Sequence, residues 1–306
     1  MPNATTISPF MKTALVAAST STLGGCALIH SPVLDPAGPV ALAERDLLIW
    51  AFAVMMIVAI PVFAMTAWFA TRYRASNTSS AYEPDWCAST KIEIAIWTIP
   101  AMIVVALGIL LWNATDKLDP YRSLTGSEPA MKVQAIALDW RWLFIYPKQG
   151  IATINELVIP RNEPVDVEIT SDTVMTALYI PRLAGQIYAM AGMRTRLNLR
   201  ADKSGTFTGR NSQYNGKGFS DQKFAVRSVG PDDFKSWVAS VKASPDHLDA
   251  TRYAKLADEQ ATSPVEHFSS VPTSLFADVI KKHTDMTTRV SAEMAKRPSA
   301  NAPRKE

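Results

Sequence analysis

The chain has 306 residues, 48% of them hydrophobic, a formal net charge of +3 at pH 7, two cysteines and four histidines. The hydrophobic residues crowd the first third, which argues for a membrane part followed by a soluble part rather than one uniform core. The charge is too small, and Lys and Arg too scattered, for a nucleic-acid surface, and Cys26 and Cys87 alone exclude a disulfide framework.

In chain order, residues 1–25 have the layout of an export signal: Lys12, an apolar stretch from Ala14 to Ala18, then small residues leading to Leu23-Gly24-Gly25-Cys26. That ending resembles the lipobox of bacterial lipoproteins. The resemblance implies cleavage before Cys26 and a lipid anchor on its sulfur, with palmitate among the acyl groups. The alternative is an incidental cysteine in an unprocessed leader.

Residues 26–45 read as a periplasmic linker. Leu47 to Phe69 is apolar apart from Thr66, and Ile94 to Trp112 repeats the pattern, each near the ~20 residues that cross about 30 Å of hydrocarbon. Transmembrane helices are therefore predicted over 46–71 and 92–113, with a cytoplasmic loop over 72–91. Trp50, Trp68, Trp97 and Trp112 lie toward the ends of the two runs, at headgroup level. Pro61 and Pro100 are tolerable where neighbouring helices satisfy the freed carbonyls. Arg72, Arg74 and Lys91 place the short loop in the cytoplasm and both mature termini outside. Cys87 then lies in a reducing compartment as a free thiol with no assigned role.

After a linker over 114–130, residues 131–230 alternate with a period of two. Val165, Val167 and Ile169 oppose Asp166, Glu168 and Thr170, and Leu197 and Leu199 oppose Arg196, Asn198 and Arg200. Gly205, Gly209, Gly216 and Gly218 punctuate the end of this segment, which reads as a small β-sandwich or barrel. Over 231–280 the period turns helical, with Phe234, Trp237, Val238 and Val241 on one face and Leu275, Phe276, Val279 and Ile280 marking a second helix. Residues 281–306 are polar and basic and predict a disordered tail.

Several of these segments together resemble subunit II of haem-copper terminal oxidases, in the quinol-oxidising branch. The resemblance rests on the lipobox, on Lys91-Ile92-Glu93 and Trp97-Thr98-Ile99-Pro100, and on an aromatic strand Leu138-Asp139-Trp140-Arg141-Trp142. It rests further on the run from Ile180 to Met193 and on Phe276-Ala277-Asp278-Val279-Ile280. It implies a membrane α-helical hairpin, a cupredoxin-like all-β periplasmic domain and a short α-helical C-terminal region. Cytochrome c oxidases of that family hold two copper ions on this domain through thiolates and imidazoles. Here the corresponding positions are Thr176, Asn211, Gln213, Asn215, Phe219 and Gln222, and from Ala88 to Asp246 there is neither cysteine nor histidine. A soft-metal electron-transfer site has no ligands in such a segment. His30, His247, His267 and His283 lie outside the predicted sandwich and read as surface or incidental residues.

The resemblance implies a non-catalytic subunit of a proton-pumping ubiquinol oxidase in the inner membrane of a bacterium, with no cofactor of its own. Haem b, haem o or haem a, and one copper are expected in the partner subunit I, with subunits III and IV as further partners and membrane lipid as surroundings. No cytochrome c docking is expected. A glutamate placed like Glu93 lies, in the family, at the mouth of a proton channel; the alternative is a solvated carboxylate favoured by a helix amino terminus. Two other classes stand beside this one: a cytochrome c oxidase subunit II, and an envelope lipoprotein that uses its sandwich for binding or assembly.

Overall fold

A computed structural model describes residues 31–78, 85, 89–124, 129–258 and 264–296. Cys26, Cys87 and His30 lie outside them. The chain forms two compact units, one spanning 43–122 and the other made of the residues up to 42 and from 123 onward.

The first unit is a helical hairpin. Helix α1 runs Pro39–Arg72 and α2 runs Thr90–Lys117. Both begin before the predicted spans, because apolar runs mark only the stretch suited to hydrocarbon while helical hydrogen bonding continues into polar flanks. Pro39 opens α1, where its missing N–H is no loss. The hydroxyls of Thr66 and Thr115 donate to the carbonyls of Val62 (2.7 Å) and Leu111 (2.9 Å), which removes an unsatisfied polar group from lipid. Both helices are long and apolar enough to span a membrane, and no residue of their most apolar stretches is buried.

The predicted linker over 26–45 is overturned at its end. Residues 35–41 belong to the globular unit: Ala37 N–H donates to the Arg182 carbonyl at 2.7 Å and its own carbonyl accepts from Asp202 at 2.8 Å. Arg182 holds Asp35 at 2.6 Å. A methyl group at Gly38 would collide with the Arg200 carbonyl, so the close approach requires glycine there.

The second unit is a two-sheet sandwich. Strands β1 (Met131–Leu138), β2 (Arg141–Tyr146), β3 (Ile151–Ile154), β4 (Glu156–Pro160), β5 (Val165–Ser171) and β6 (Thr176–Ile180) are followed by β7 (Ala184–Ala189), β8 (Thr195–Leu199), β9 (Gly205–Asn211), β10 (Lys223–Val229) and β11 (Glu266–Phe268). A six-stranded sheet has the order β11-β3-β2-β1-β5-β8, and a five-stranded sheet the order β4-β10-β9-β6-β7. Between them lie Val133, Trp142, Phe144, Val167 and Ile169 from one side and Leu178, Phe207, Phe224 and Val226 from the other. The chain changes sheets at Asn155, whose positive φ of 56° suits an Asn and whose Oδ1 accepts the Trp142 N–H at 2.9 Å.

Where an aromatic strand was expected over 138–142, there is a tight turn. Leu138 pairs with Arg141, leaving Asp139 and Trp140 as the connection, with Trp140 at φ 60°. Hydrophobic pattern alone cannot distinguish a strand from a two-residue hairpin with an aromatic at its tip.

The C-terminal region is more structured than predicted. Helices α3 (Pro231–Lys242) and α5 (Leu275–Lys296) match the two expected, but α4 (Ala250–Asp258) and β11 lie between them. Leu248, Leu256, Phe268, Leu275, Phe276 and Val279 bury the outer face of the six-stranded sheet against Ile136, Leu138, Leu143, Ile145 and Ile154. That sheet is therefore covered on both faces, which explains why β2 reads Arg-Trp-Leu-Phe-Ile-Tyr without polar alternation. The disordered tail predicted for 281–306 is corrected as well: α5 continues to Lys296, because Lys282, His283 and Thr284 find partners on the sandwich. Residues 297–306 lie outside the described part.

Candidate functional site

All the loops after β1, β5, β7 and β9 emerge at one end of the sandwich, because β1 and β5 run parallel while β5 to β8, β6 to β7, β6 to β9 and β9 to β10 are antiparallel. Of the six residues expected at copper positions, Thr176, Asn211 and Gln222 are buried there and Gln213, Asn215 and Phe219 half-buried. Asn211 ends β9 and is 2% exposed; its Oδ1 accepts the N–H groups of Ala177 (3.0 Å) and Gln213 (2.9 Å). Its Nδ2 donates to Gln222 Oε1 at 2.9 Å, and Asn215 Nδ2 donates to the same oxygen at 2.8 Å. Gln222, fully buried, donates from Nε2 to the Leu138 carbonyl at 3.2 Å. Thr176, also fully buried, opens β6 beside them and pairs with Ala189.

The result is a knot of three amides that joins β1, β6 and the β9–β10 loop. Gln213 contributes its backbone N–H to the knot, and Phe219 lies apart, with its ring 5.7 Å from that of Tyr214. The loop is seated by Trp140: a side chain at Gly218 would lie inside the indole ring, so glycine is required where the loop crosses it. Gly216, at φ 117°, passes the same ring. Around this end Val174, Met175, Met193 and Tyr214 are exposed by 43–72%.

The donor set here does not fit a pair of copper ions. Two bridging thiolates and two imidazoles would be needed, whereas these positions supply amides, a hydroxyl and a phenyl ring. The amide oxygens of Asn211 and Gln222 each already accept two N–H groups. Among the described residues, the Thr176 hydroxyl and Asn215 Oδ1 are buried without a hydrogen-bond partner, and both are hard oxygen atoms.

A second polar cluster was not foreseen. The Asp172 side chain is fully buried after β5, and its carboxylate accepts from Tyr253 (2.8 Å), Lys282 (2.9 Å) and His283 (2.7 Å). Burial, and then the nearby Asp172 charge, pushes the Tyr253 phenol well above its ordinary range. His283 is thus no incidental residue. Neither is His267, which sits in β11 within the sheet and meets Glu156 at 2.8 Å, while Arg227 holds the other Glu156 oxygen at 3.1 Å. Among the described histidines, His247 alone matches the expectation, exposed and bonded to Ser270 at 3.0 Å. These clusters join residues far apart in sequence, so no local pattern announces them.

Glu93 lies in the first turn of α2, exposed, with its N–H bonded to the Ser89 carbonyl at 2.9 Å. It belongs to the hairpin unit and is no part of the amide knot.

Comparison with known proteins follows this division. Residues 147–229 match the family described as cytochrome C oxidase subunit II, periplasmic domain, and residues 242–286 match the COX aromatic rich motif. Over 264 residues, 86% of this chain and 83% of the relative, the chain is 46% identical to cytochrome bo(3) ubiquinol oxidase subunit 2 of Pseudomonas putida. It is 45% identical to the Pseudomonas aeruginosa protein of the same name, over 85% of this chain and 78% of the relative. Identity to ubiquinol oxidase subunit 2 of Acetobacter aceti is 45%, over 86% and 85%.

Proposed function

Since the chain belongs to the ubiquinol oxidase subunit 2 family and is subunit II of a quinol oxidase, a two-pass inner-membrane partner of subunit I, we propose that it carries no electron itself and acts as a copper-free cover for subunit I. On this reading the complex oxidises ubiquinol, reduces oxygen to water and pumps protons. Haem b, haem o or haem a, and one copper belong to subunit I, and subunits III and IV complete the assembly. Quinol dissolved in the bilayer reaches subunit I without crossing the periplasmic domain, so that domain needs no redox centre.

The observation that carries the proposal is the amide knot: Gln222 Oε1 is committed to Asn211 and Asn215, where an electron-accepting domain would present sulfur and imidazole. The exposed Val174, Met175, Met193 and Tyr214 at the same end support a seat on another protein, since apolar side chains gathered on a periplasmic surface mark contact sites.

Two further roles belong to this reading. Glu93, at the cytoplasmic start of α2, gathers protons for a channel in subunit I; its exposure and its place at the membrane edge support this. Cys26 carries the lipid anchor after removal of residues 1–25, supported by the Leu23-Gly24-Gly25-Cys26 ending. The mass of the mature amino-terminal peptide decides that point: an unmodified Cys26 would remove the anchor.

Oxygen uptake by the complex purified in mild detergent tests the main reading. Uptake with a short-chain quinol and none with reduced cytochrome c is expected. Uptake with cytochrome c would require an electron entry site that the knot does not supply, and the absence of any haem protein in the preparation would favour the envelope-lipoprotein class.

A further inference from the structure

At the periplasmic ends of α1 and α2, two adjoining grooves of about 200 Å³ and about 370 Å³ share Leu47, Ala114 and Leu118 in their walls. Both lie wholly within the hairpin unit. The first is lined also by Trp50 and Leu110 and, on its polar side, by Asp46, Asn113 and Lys117. The second adds Leu111 and Asp119. Apolar depth and paired charges therefore meet at the level where the helices leave the hydrocarbon, and Trp50, 65% exposed, belongs to the aromatic belt of that level.

The charges select among occupants. Asp46 holds Arg45 at 2.7 Å and keeps a side chain 51% exposed. Lys117 closes the last turn of α2, where unpaired helix carbonyls make the potential negative. Two carboxylates, Asp46 and Asp119, and the carboxyl end of a helix favour a bound ammonium, while Lys117 favours a phosphate. A purely anionic headgroup would place its charge beside Asp46 and Asp119 with no cation of its own. A zwitterionic amino headgroup satisfies both signs at once.

We propose that this groove binds one phospholipid with an aminoethyl phosphate headgroup: its ammonium on Asp46 and Asp119, its phosphate on Lys117, and one acyl chain starting along Leu47 and Leu111. The site depends on the hairpin spanning the membrane and stands apart from the reading of the electron donor.

The test uses the whole oxidase complex, washed free of loosely held lipid and titrated with dioleoyl phosphatidylethanolamine or dioleoyl phosphatidylglycerol, with bound lipid counted by native mass spectrometry. The unaltered complex should retain the ethanolamine lipid about fivefold more tightly than the glycerol lipid, a preference on the order of 1 kcal/mol. The double variant Asp46→Asn, Lys117→Gln should lower retention of the ethanolamine lipid roughly tenfold and abolish the preference. Should that variant fail to assemble, Ala114→Trp, which fills the shared wall without changing charge, should remove retention of both lipids. Equal retention of the two lipids by the unaltered complex would overturn the proposal. So would unchanged retention in the assembled variants, or an Ala114→Trp complex that sheds subunit I while binding lipid as before, which would make the groove a subunit contact.

Discussion

Gln222 illustrates how one side chain replaces a cross-link. Its carbonyl oxygen gathers Asn211 and Asn215 and its amide reaches the Leu138 carbonyl, so the loop between β9 and β10 is tied to β1 without metal. Replacing Gln222 with Leu strands two buried amide N–H groups and a carbonyl and is expected to destabilise the domain by about 2–4 kcal/mol. A thermal melt of the complex checks this, and an unchanged midpoint would mean that the knot contributes nothing to stability. The lack of sulfur and imidazole ligands was legible in the sequence, because it needs only a count of residue types between Ala88 and Asp246. That the substituting amides bind one another was not legible, since each bond depends on the sheet bringing Leu138, Asn211 and Gln222 to one end. Glu93 gives a second prediction at this scale. Glu93→Ala should slow quinol-driven turnover severalfold while leaving assembly intact, and normal turnover at both neutral and alkaline pH would remove the proton-gathering role.

Among the elements, the C-terminal helices depend on a single buried carboxylate. Asp172 bonds α4 through Tyr253 and α5 through Lys282 and His283. Asp172→Ala removes the carboxylate that Tyr253, Lys282 and His283 share, leaving His283 the backbone carbonyl of residue 172 at 3.1 Å, and should cost about 3–5 kcal/mol, seen as faster amide exchange in α4 and α5 than in β1 and β2. Equal protection in both regions would show that the apolar contacts of Phe276 and Val279 suffice alone. Tyr253 and Tyr146 set an alkaline limit. Tyr146 is buried and Tyr253 half-buried, and burial raises both phenols above their ordinary value near 10. In the unfolded chain they ionise near pH 10 while the folded chain keeps its protons, so the unfolded state binds fewer protons and stability falls as pH rises above about 10. Tyr253→Phe should flatten that fall in a denaturation series from pH 9 to 11 by about half. An unchanged slope would place the alkaline sensitivity elsewhere. Helix α3 was legible from Phe234, Trp237 and Val241 on one face, whereas β11 was not: three residues, Glu266 to Phe268, carry no periodicity, and only their pairing with β3 makes them a strand.

For the molecule as a whole, the order of parts was readable because a bilayer and a sandwich impose different periods: long apolar runs for the hairpin, alternation for the strands. A subunit off the electron path also makes a collective prediction. Soaking the sealed complex with a membrane-impermeant copper chelator from the periplasmic side should leave quinol oxidation unchanged, and a progressive loss of activity would point to an accessible metal on this domain. The position of β11 has a consequence for how the chain comes into being. Strand β3 is completed only by Glu266–Phe268, yet strands β4 to β10 lie between the two in the chain. During synthesis and export, an open sheet edge faces the periplasm until the last segment has been translocated. A chain truncated after β10 would therefore leave the membrane with a permanent vacancy for any strand that passes, which makes the length of the exported polypeptide itself a safeguard against aggregation.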